Sequence, residues 1–168
     1  SGTSGPVFSA KAMSVFPPMF AYAGFGIPKT VFNLLPTVSP EKALLSSVFL
    51  FNAPHMMTLY LKIKASKGNL DNEDPRKQGE KLKADPTYGG ILSRALAAHQ
   101  NGLESFPVLA AGVVACMATG ADKKTAGQLA CCHLLSRVAF NIFYVVLPPS
   151  PAVGLARTIS WAVSLMTS

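Results

Sequence analysis

Apolar residues fall along this chain in four long blocks, separated by short polar interruptions and one extended charged segment. The first block, KALLSSVFLFNAPHMMTLYLKI, runs from Lys42 to Ile63, close to the ~20 residues that a bilayer's hydrocarbon demands of a helix. Pro54 is expected to kink it, because proline withholds a backbone N–H and crowds the preceding turn. After a charged segment closed by Gly89 and Gly90 comes the second block, RALAAHQNGLESFPVLAAGVVACMATG, Arg94 to Gly120. The short turn signal GADKK follows, so the second and third blocks are expected to be antiparallel neighbours. Block three is TAGQLACCHLLSRVAFNIFYVVL, Thr125 to Leu147, and PPSP stops it. AVGLARTISWAVSLMT then forms a fourth block at the lower limit of spanning length. The pattern predicts an all-α integral membrane protein built as a four-helix bundle over residues 41–168.

Residues 1–40 read differently. Pro6, Pro17, Pro18, Pro28, Pro36 and Pro40 sit among aromatic rings, and no helical periodicity survives that many prolines. This stretch is expected to be an arm that either packs on the chain's own helices or offers a surface to a partner. It begins Ser-Gly-Thr-Ser-Gly and holds no acidic residue before Glu41, a composition in keeping with a processed organellar precursor and equally with a trimmed boundary.

Composition sharpens the membrane reading. The 168 residues are 49% hydrophobic and 14% charged, too apolar for an ordinary soluble domain of this length. The net charge of +7 does not point to nucleic acid. About half of the basic residues lie between Lys62 and Lys83, interleaved with Asp71, Glu73, Asp74, Glu80 and Asp85, which is the mixture of a solvated loop beside a membrane. Seven Lys or Arg on this loop face five on the opposite side (Lys11, Lys29, Lys42, Lys123 and Lys124), a small bias that sets the loop on the cytoplasmic, matrix or stromal side. Cys116, Cys131 and Cys132 fit neither a metal spacing nor a secreted disulfide framework.

The chemistry lies in the polar groups inside the apolar blocks. On a helix, Arg94 and Asn101 are seven residues apart and nearly superimposed in projection, and Glu104 follows Asn101 by three. His99 lies well round the helix and is expected to meet a different neighbour. On block three, His133, Arg137 and Asn141 step by four, with Tyr144 three further on. Because polar side chains in lipid are costly, the two stripes should face each other or an interface. Either Glu104 pairs with Arg94 or Arg137 and the set merely specifies packing, or the surplus of Arg94, Arg137 and Arg157 over one carboxylate makes an anion site. No nucleophile with a base, phosphate-cradling loop or metal constellation accompanies it; the histidines lie on three separate blocks.

RALAAHQNGLESFP (Arg94 to Pro107), RVAFNIFY (Arg137 to Tyr144) and ARTISW (Ala156 to Trp161) resemble, in that order, the MAPEG family, the membrane-associated proteins in eicosanoid and glutathione metabolism. The resemblance covers about Pro40 to Ser168. It implies a four-helix protomer assembled as a homotrimer, with glutathione as co-substrate bound between subunits. Asn101 and Glu104 would hold its backbone and amino group; Arg94, Arg137 and Tyr144 would line the same site. Arg157 would be catalytic, stabilising a thiolate, since a nearby cation lowers a thiol's pKa.

Two functions follow as expectations. The first is a glutathione-dependent transferase or peroxidase-like protein acting on lipophilic electrophiles. The second is a non-catalytic MAPEG-fold subunit of a larger photosynthetic or respiratory membrane complex, joined to other subunits through residues 1–40. It rests on the arm and on Ala97 and Ala98, where glutathione-using members resembled here carry arginine. A lipid-binding scaffold is a third. Membrane lipids are expected partners in each case, and the expected setting is a plastid, mitochondrial or endoplasmic reticulum membrane.

Overall fold

A computed structural model describes residues 29–168. Among them every regular element is helical: α1 (Lys29–Asn33), α2 (Pro40–Ala65), α3 (Pro75–Leu82), α4 (Gly89–Thr119), α5 (Lys123–Asn141), a π-helical turn (Ile142–Val146) and α6 (Pro151–Met166). Three stretches, Pro40–Ala65, Gly89–Thr119 and Lys123–Val146, are long and apolar enough to cross a membrane. At 16 residues α6 rises ~24 Å, short of the ~30 Å hydrocarbon layer.

α2, α5 and α6 each start where a side chain takes an orphan N–H group. Ser39 Oγ accepts from Lys42 N at 3.4 Å, with Pro40 in the first turn. Asp122 Oδ2 accepts from Thr125 N at 2.8 Å, and Ser150 Oγ from Val153 N at 3.2 Å, with Pro151 following. These are the caps that a helix N-terminus favours, with proline where its missing N–H costs nothing. Glu41 at the start of α2 and Lys62 and Lys64 at its end complement the helix dipole. Gly120 closes α4 at φ 65°, a left-handed conformation that glycine adopts without strain.

The charged segment is more ordered than its composition suggests. Asp74 Oδ1 accepts from Lys77 N at 3.0 Å and starts α3, while Lys62 Nζ donates to Pro75 O at 3.1 Å and ties that helix to α2. Asp85 Oδ1 accepts from both Thr87 N and Tyr88 N, at 2.9 and 2.8 Å, turning the chain into α4. That helix starts at Gly89, five residues before the expected Arg94. Gly89 is buried, and a Cβ there would collide with the Lys83 carbonyl.

Packing corrects one expectation. α2 packs along α4 and also against α5, and α5 packs on α6, but α4 and α5 touch only sparsely despite the short turn between them. The reason is a close approach elsewhere. Gly102 meets Phe51 so tightly that a Cβ would overlap the Phe51 side chain, which draws α4 onto α2 instead. α5 is held by the segment before α2: Gln128 Nε2 donates to Phe32 O and Leu35 O at 3.3 and 3.4 Å, and Val38 N donates to Gly127 O at 3.1 Å. Phe32, 1% exposed, is fully seated. Thus residues 29–39 of the expected arm lie against the helices, while residues 1–28 lie outside the described residues.

Pro54 sits inside α2 and leaves the Leu50 carbonyl without its helical donor. Asn141 Nδ2 donates to that oxygen at 2.9 Å, and His99 Nδ1 meets the neighbouring Phe51 carbonyl at 2.7 Å. Because a carbonyl only accepts, that contact assigns the ring proton of His99 to Nδ1. The backbone carbonyls beside the proline are therefore joined to both α4 and α5.

Candidate functional site

Seven residues of α-helix rise ~10.5 Å, so Arg94 and Asn101 share a stripe of α4 at different depths. Two polar levels result. At the inner level Arg137 Nη1 donates to Asn101 Oδ1 at 2.8 Å, bridging the sparsely packed α4 and α5. The guanidinium lies over the Phe140 ring, with Cζ 4.6 Å from its centroid. Arg137 is 4% exposed, and the amide and ring replace water around it. Beside it is a void of ≈ 10 Å³ lined by Ser47, Gly102, Ser105, His133 and Arg137, among others, with Ser47 Oγ buried and unpartnered. Its size is just that of one water molecule.

The outer level is an open cleft of ≈ 390 Å³ bounded by α4, the π-helical turn and the start of α6. Arg94, Tyr144 and Arg157 all line it, with Phe143, Leu147 and Pro149 as apolar walls. Arg157 Cζ stands 4.6 Å from the centre of the Tyr144 ring, a cation–π stack that fixes the guanidinium. The π-helical turn, in which Leu147 N bonds to Ile142 O at 3.1 Å, carries Tyr144 and rotates it relative to a continued α-helix. A small core of Ala95, Ala98, Phe140 and Val145, with Tyr144 packed against it, supports the floor.

The cleft's charge is unbalanced. Among the described residues the one ion pair is Lys83–Glu80, at 2.7 Å, so no carboxylate neutralises Arg94, Arg137 or Arg157. Arg94 Nε is buried with no hydrogen-bond partner. An unpaired buried donor is costly.

Glu104 is placed otherwise than a packing pair requires. It pairs with neither Arg94 nor Arg137; its Oε1 accepts from Gln100 Nε2, one turn back, at 3.1 Å, and both residues are exposed. A three-residue step rotates the side chain ~60° from Asn101, which turns Glu104 off the α5-facing stripe. The two stripes do meet, but through Asn101 and Arg137. The three histidines go their own ways: His99 and His55 are adjacent, with ring centroids 4.8 Å apart, while His133 Nδ1 contacts Ser164 O at 3.0 Å and Ser168 Oγ at 2.9 Å. No group of three or more His, Cys, Asp or Glu among the described residues could hold a metal ion.

Sequence reasoning missed Gly102, Phe140 as a ring beneath Arg137, and the π-helical turn. The glycine carried a usable signal, a small residue between polar groups on a spanning helix; the turn carried none.

Comparison with curated proteins and with solved structures returns no match to this chain. The family model described as MAPEG family matches residues 43–168, which takes in α4, α5, the π-helical turn and α6, and with them every residue of the cleft. The chain is therefore a member of the MAPEG family.

Proposed function

We propose that this protein is a glutathione-dependent transferase or peroxidase-like membrane protein, acting on lipophilic electrophiles that arrive through the bilayer. The observation that carries the reading is the meeting of Arg94, Tyr144 and Arg157 in one cleft without any carboxylate to balance them. Family membership adds the choice of anion. Glutathione has two carboxylates and one ammonium group, and the residues here fit that charge pattern: guanidinium groups for the carboxylates and an exposed Glu104 for an amine.

In this reading α6 completes a four-helix membrane bundle, and the protomer assembles as a homotrimer. Glu104 and Gln100 are exposed on a spanning helix, where lipid is a poor neighbour for a carboxylate, so a second copy covers them and Glu104 reaches the adjoining cleft. Asn101, held by Arg137 at the inner level, presents its amide beneath the cleft. When bound, glutathione supplies a thiol as the nucleophile. Arg157 is the cation nearest its reactive end and favours the thiolate, while the Tyr144 ring holds Arg157 in place. The apolar walls Phe143 and Leu147 admit the lipophilic co-substrate and keep water away from the sulfur. A plastid, mitochondrial or endoplasmic reticulum membrane is the proposed setting.

A second reading, a non-catalytic subunit of a larger organellar complex, is favoured by Arg137 being engaged inside the protein, bonded to Asn101 and only 4% exposed. Ala98 is fully buried and Phe140, not a hydroxyl-bearing ring, lies beneath the guanidinium. The two readings separate in one experiment: titration of glutathione into gently solubilised protein, alongside conjugation of a chlorodinitrobenzene substrate. Saturable binding and turnover, both lost in Arg157→Ala, support the first. Absence of binding, together with isolation in a heteromeric assembly, overturns it in favour of the second.

A further inference from the structure

At the other end of the helices, α4 and α5 diverge from the Gly120 turn and leave a groove between them. Its mouth, ≈ 570 Å³, is lined by the starts of α2 and α5 and the end of α4, including Ser39, Glu41, Cys116, Met117 and Lys123. A deeper section of ≈ 260 Å³ shares Pro40, Cys116 and Ala126 with the mouth and continues between Leu109, Val113, Leu129 and Met166. The two sections adjoin, with Glu41 and Lys123 at the mouth and apolar side chains below.

Its dimensions and charges specify an occupant. Leu109 lies eleven residues before Gly120, so the groove descends ~16 Å along α4, close to half of the ~30 Å hydrocarbon layer. That is the depth of one leaflet's acyl chains. At the mouth Glu41 and Lys123 come from different helices, and no ion pair joins them; among the described residues that contact is made by Lys83 and Glu80 alone. One anion and one cation at the surface, without a direct ion pair between them, match a headgroup that itself carries one of each.

We infer that the groove is a binding site for a single zwitterionic phospholipid of that leaflet. One acyl chain fills the section between Leu109 and Leu129, Lys123 receives the phosphate and Glu41 receives the ammonium group. The lipid lies beside the bridge that Ser168 makes between these helices, against Gly112 of α4 and in contact with His133 of α5. The site is separate from the Arg94–Arg157 cleft, which lies at the opposite ends of α4 and α5, and it stands whether or not that cleft binds glutathione.

Cys116 lines both sections and is partly exposed, whereas Cys131 and Cys132 are buried, so its alkylation reports on the groove. The experiment is maleimide labelling of lipid-stripped protein in detergent, read at the Cys116 peptide by mass spectrometry, with phosphatidylcholine or phosphatidylglycerol added back. We expect phosphatidylcholine to slow labelling about ten-fold and phosphatidylglycerol to do much less. In Glu41→Gln the preference should reverse, because Lys123 then faces the headgroup alone. An unchanged rate with both lipids overturns the proposal, as does equal slowing by both. Complete protection before any lipid is added also overturns it, since residues 1–28 or a second copy would then fill the groove.

Discussion

Asn141 donates its side-chain amide to the Leu50 carbonyl, 2.9 Å away, the one acceptor that Pro54 in the next turn leaves without a helical donor. A gap in the hydrogen-bond ladder of one spanning helix is thus matched by an amide on another. In a medium without water every backbone polar group needs a partner inside the protein, so this pair turns a local defect of α2 into a joint between α2 and α5.

Replacing that amide should therefore cost more than a surface substitution. Asn141→Leu is expected to destabilise the protein by ~1–3 kcal/mol, the range for leaving a buried acceptor unpaired. Thermal unfolding in detergent checks this. If the variant unfolds at the wild-type temperature, the Leu50 carbonyl is satisfied by something else.

Gly102 offers a second handle on the same interface. Because a Cβ at this position overlaps Phe51, Gly102→Ala should force α2 and α4 apart and cost ~1–3 kcal/mol, disturbing the Asn101–Arg137 bond beside it. Phe51→Gly, costly alone, removes the Cβ that the new methyl would strike and should relieve much of that strain, so the double variant should be more stable than additivity predicts. A double-mutant cycle read by thermal unfolding decides it; strict additivity would mean that the two residues do not meet.

pH acts outside the spans, at the cap of α5. The backbone N–H of Thr125, followed by its side chain, holds the Asp122 carboxyl below its ordinary value of 3.8. A carboxyl depressed on folding stabilises the protein above its unfolded pKa and loses that contribution as pH falls through the lower folded one. Asp122→Ala should accordingly be less stable than wild type at neutral pH, and the gap should close below about pH 3.8. The group is exposed, so the gap should lie at the low end of the ~0.5–2 kcal/mol range for a lost cap. Unfolding curves at pH 7 and pH 3 test the sign; a gap that widens in acid contradicts it.

The stack in the cleft yields a contrast between two substitutions. Tyr144→Phe keeps the ring face over which Arg157 lies, whereas Tyr144→Leu removes it. If the ring's task is to hold the guanidinium, Phe should preserve glutathione affinity within about two-fold, and Leu should weaken it about ten-fold or more, in line with a cation–π contact of ~1–2 kcal/mol. Equal losses in both variants would assign the task to the hydroxyl instead.

Much of the fold was legible because the bilayer imposes its own ruler. Three apolar blocks of spanning length became three helices within about five residues of their expected ends, with Ser39–Pro40 and Asp122 marking the starts of α2 and α5. α3 was not legible, since its eight residues PRKQGEKL carry no apolar face and depend on the Asp74 cap and on Lys62. Nor was the splaying of α4 from α5. Helix partners are chosen by contacts far apart in sequence, here Gly102 with Phe51 and Gln128 with the Phe32 carbonyl, and a turn of three residues does not reveal them. In the candidate site, the seven-residue spacing put Arg94 and Asn101 on one face correctly. It concealed that ~10 Å of rise assigns them to different levels, and that Gln100, one turn from Glu104 on the same helix, would take up the carboxylate.

If the Arg94–Tyr144–Arg157 cleft binds glutathione, calorimetric titration of glutathione into the gently solubilised protein should show it. Binding should be saturable and fall at least ten-fold in both Arg94→Ala and Arg157→Ala while the variants keep wild-type helical content. No binding by the folded wild-type protein, or binding that both variants retain at full strength, would contradict it.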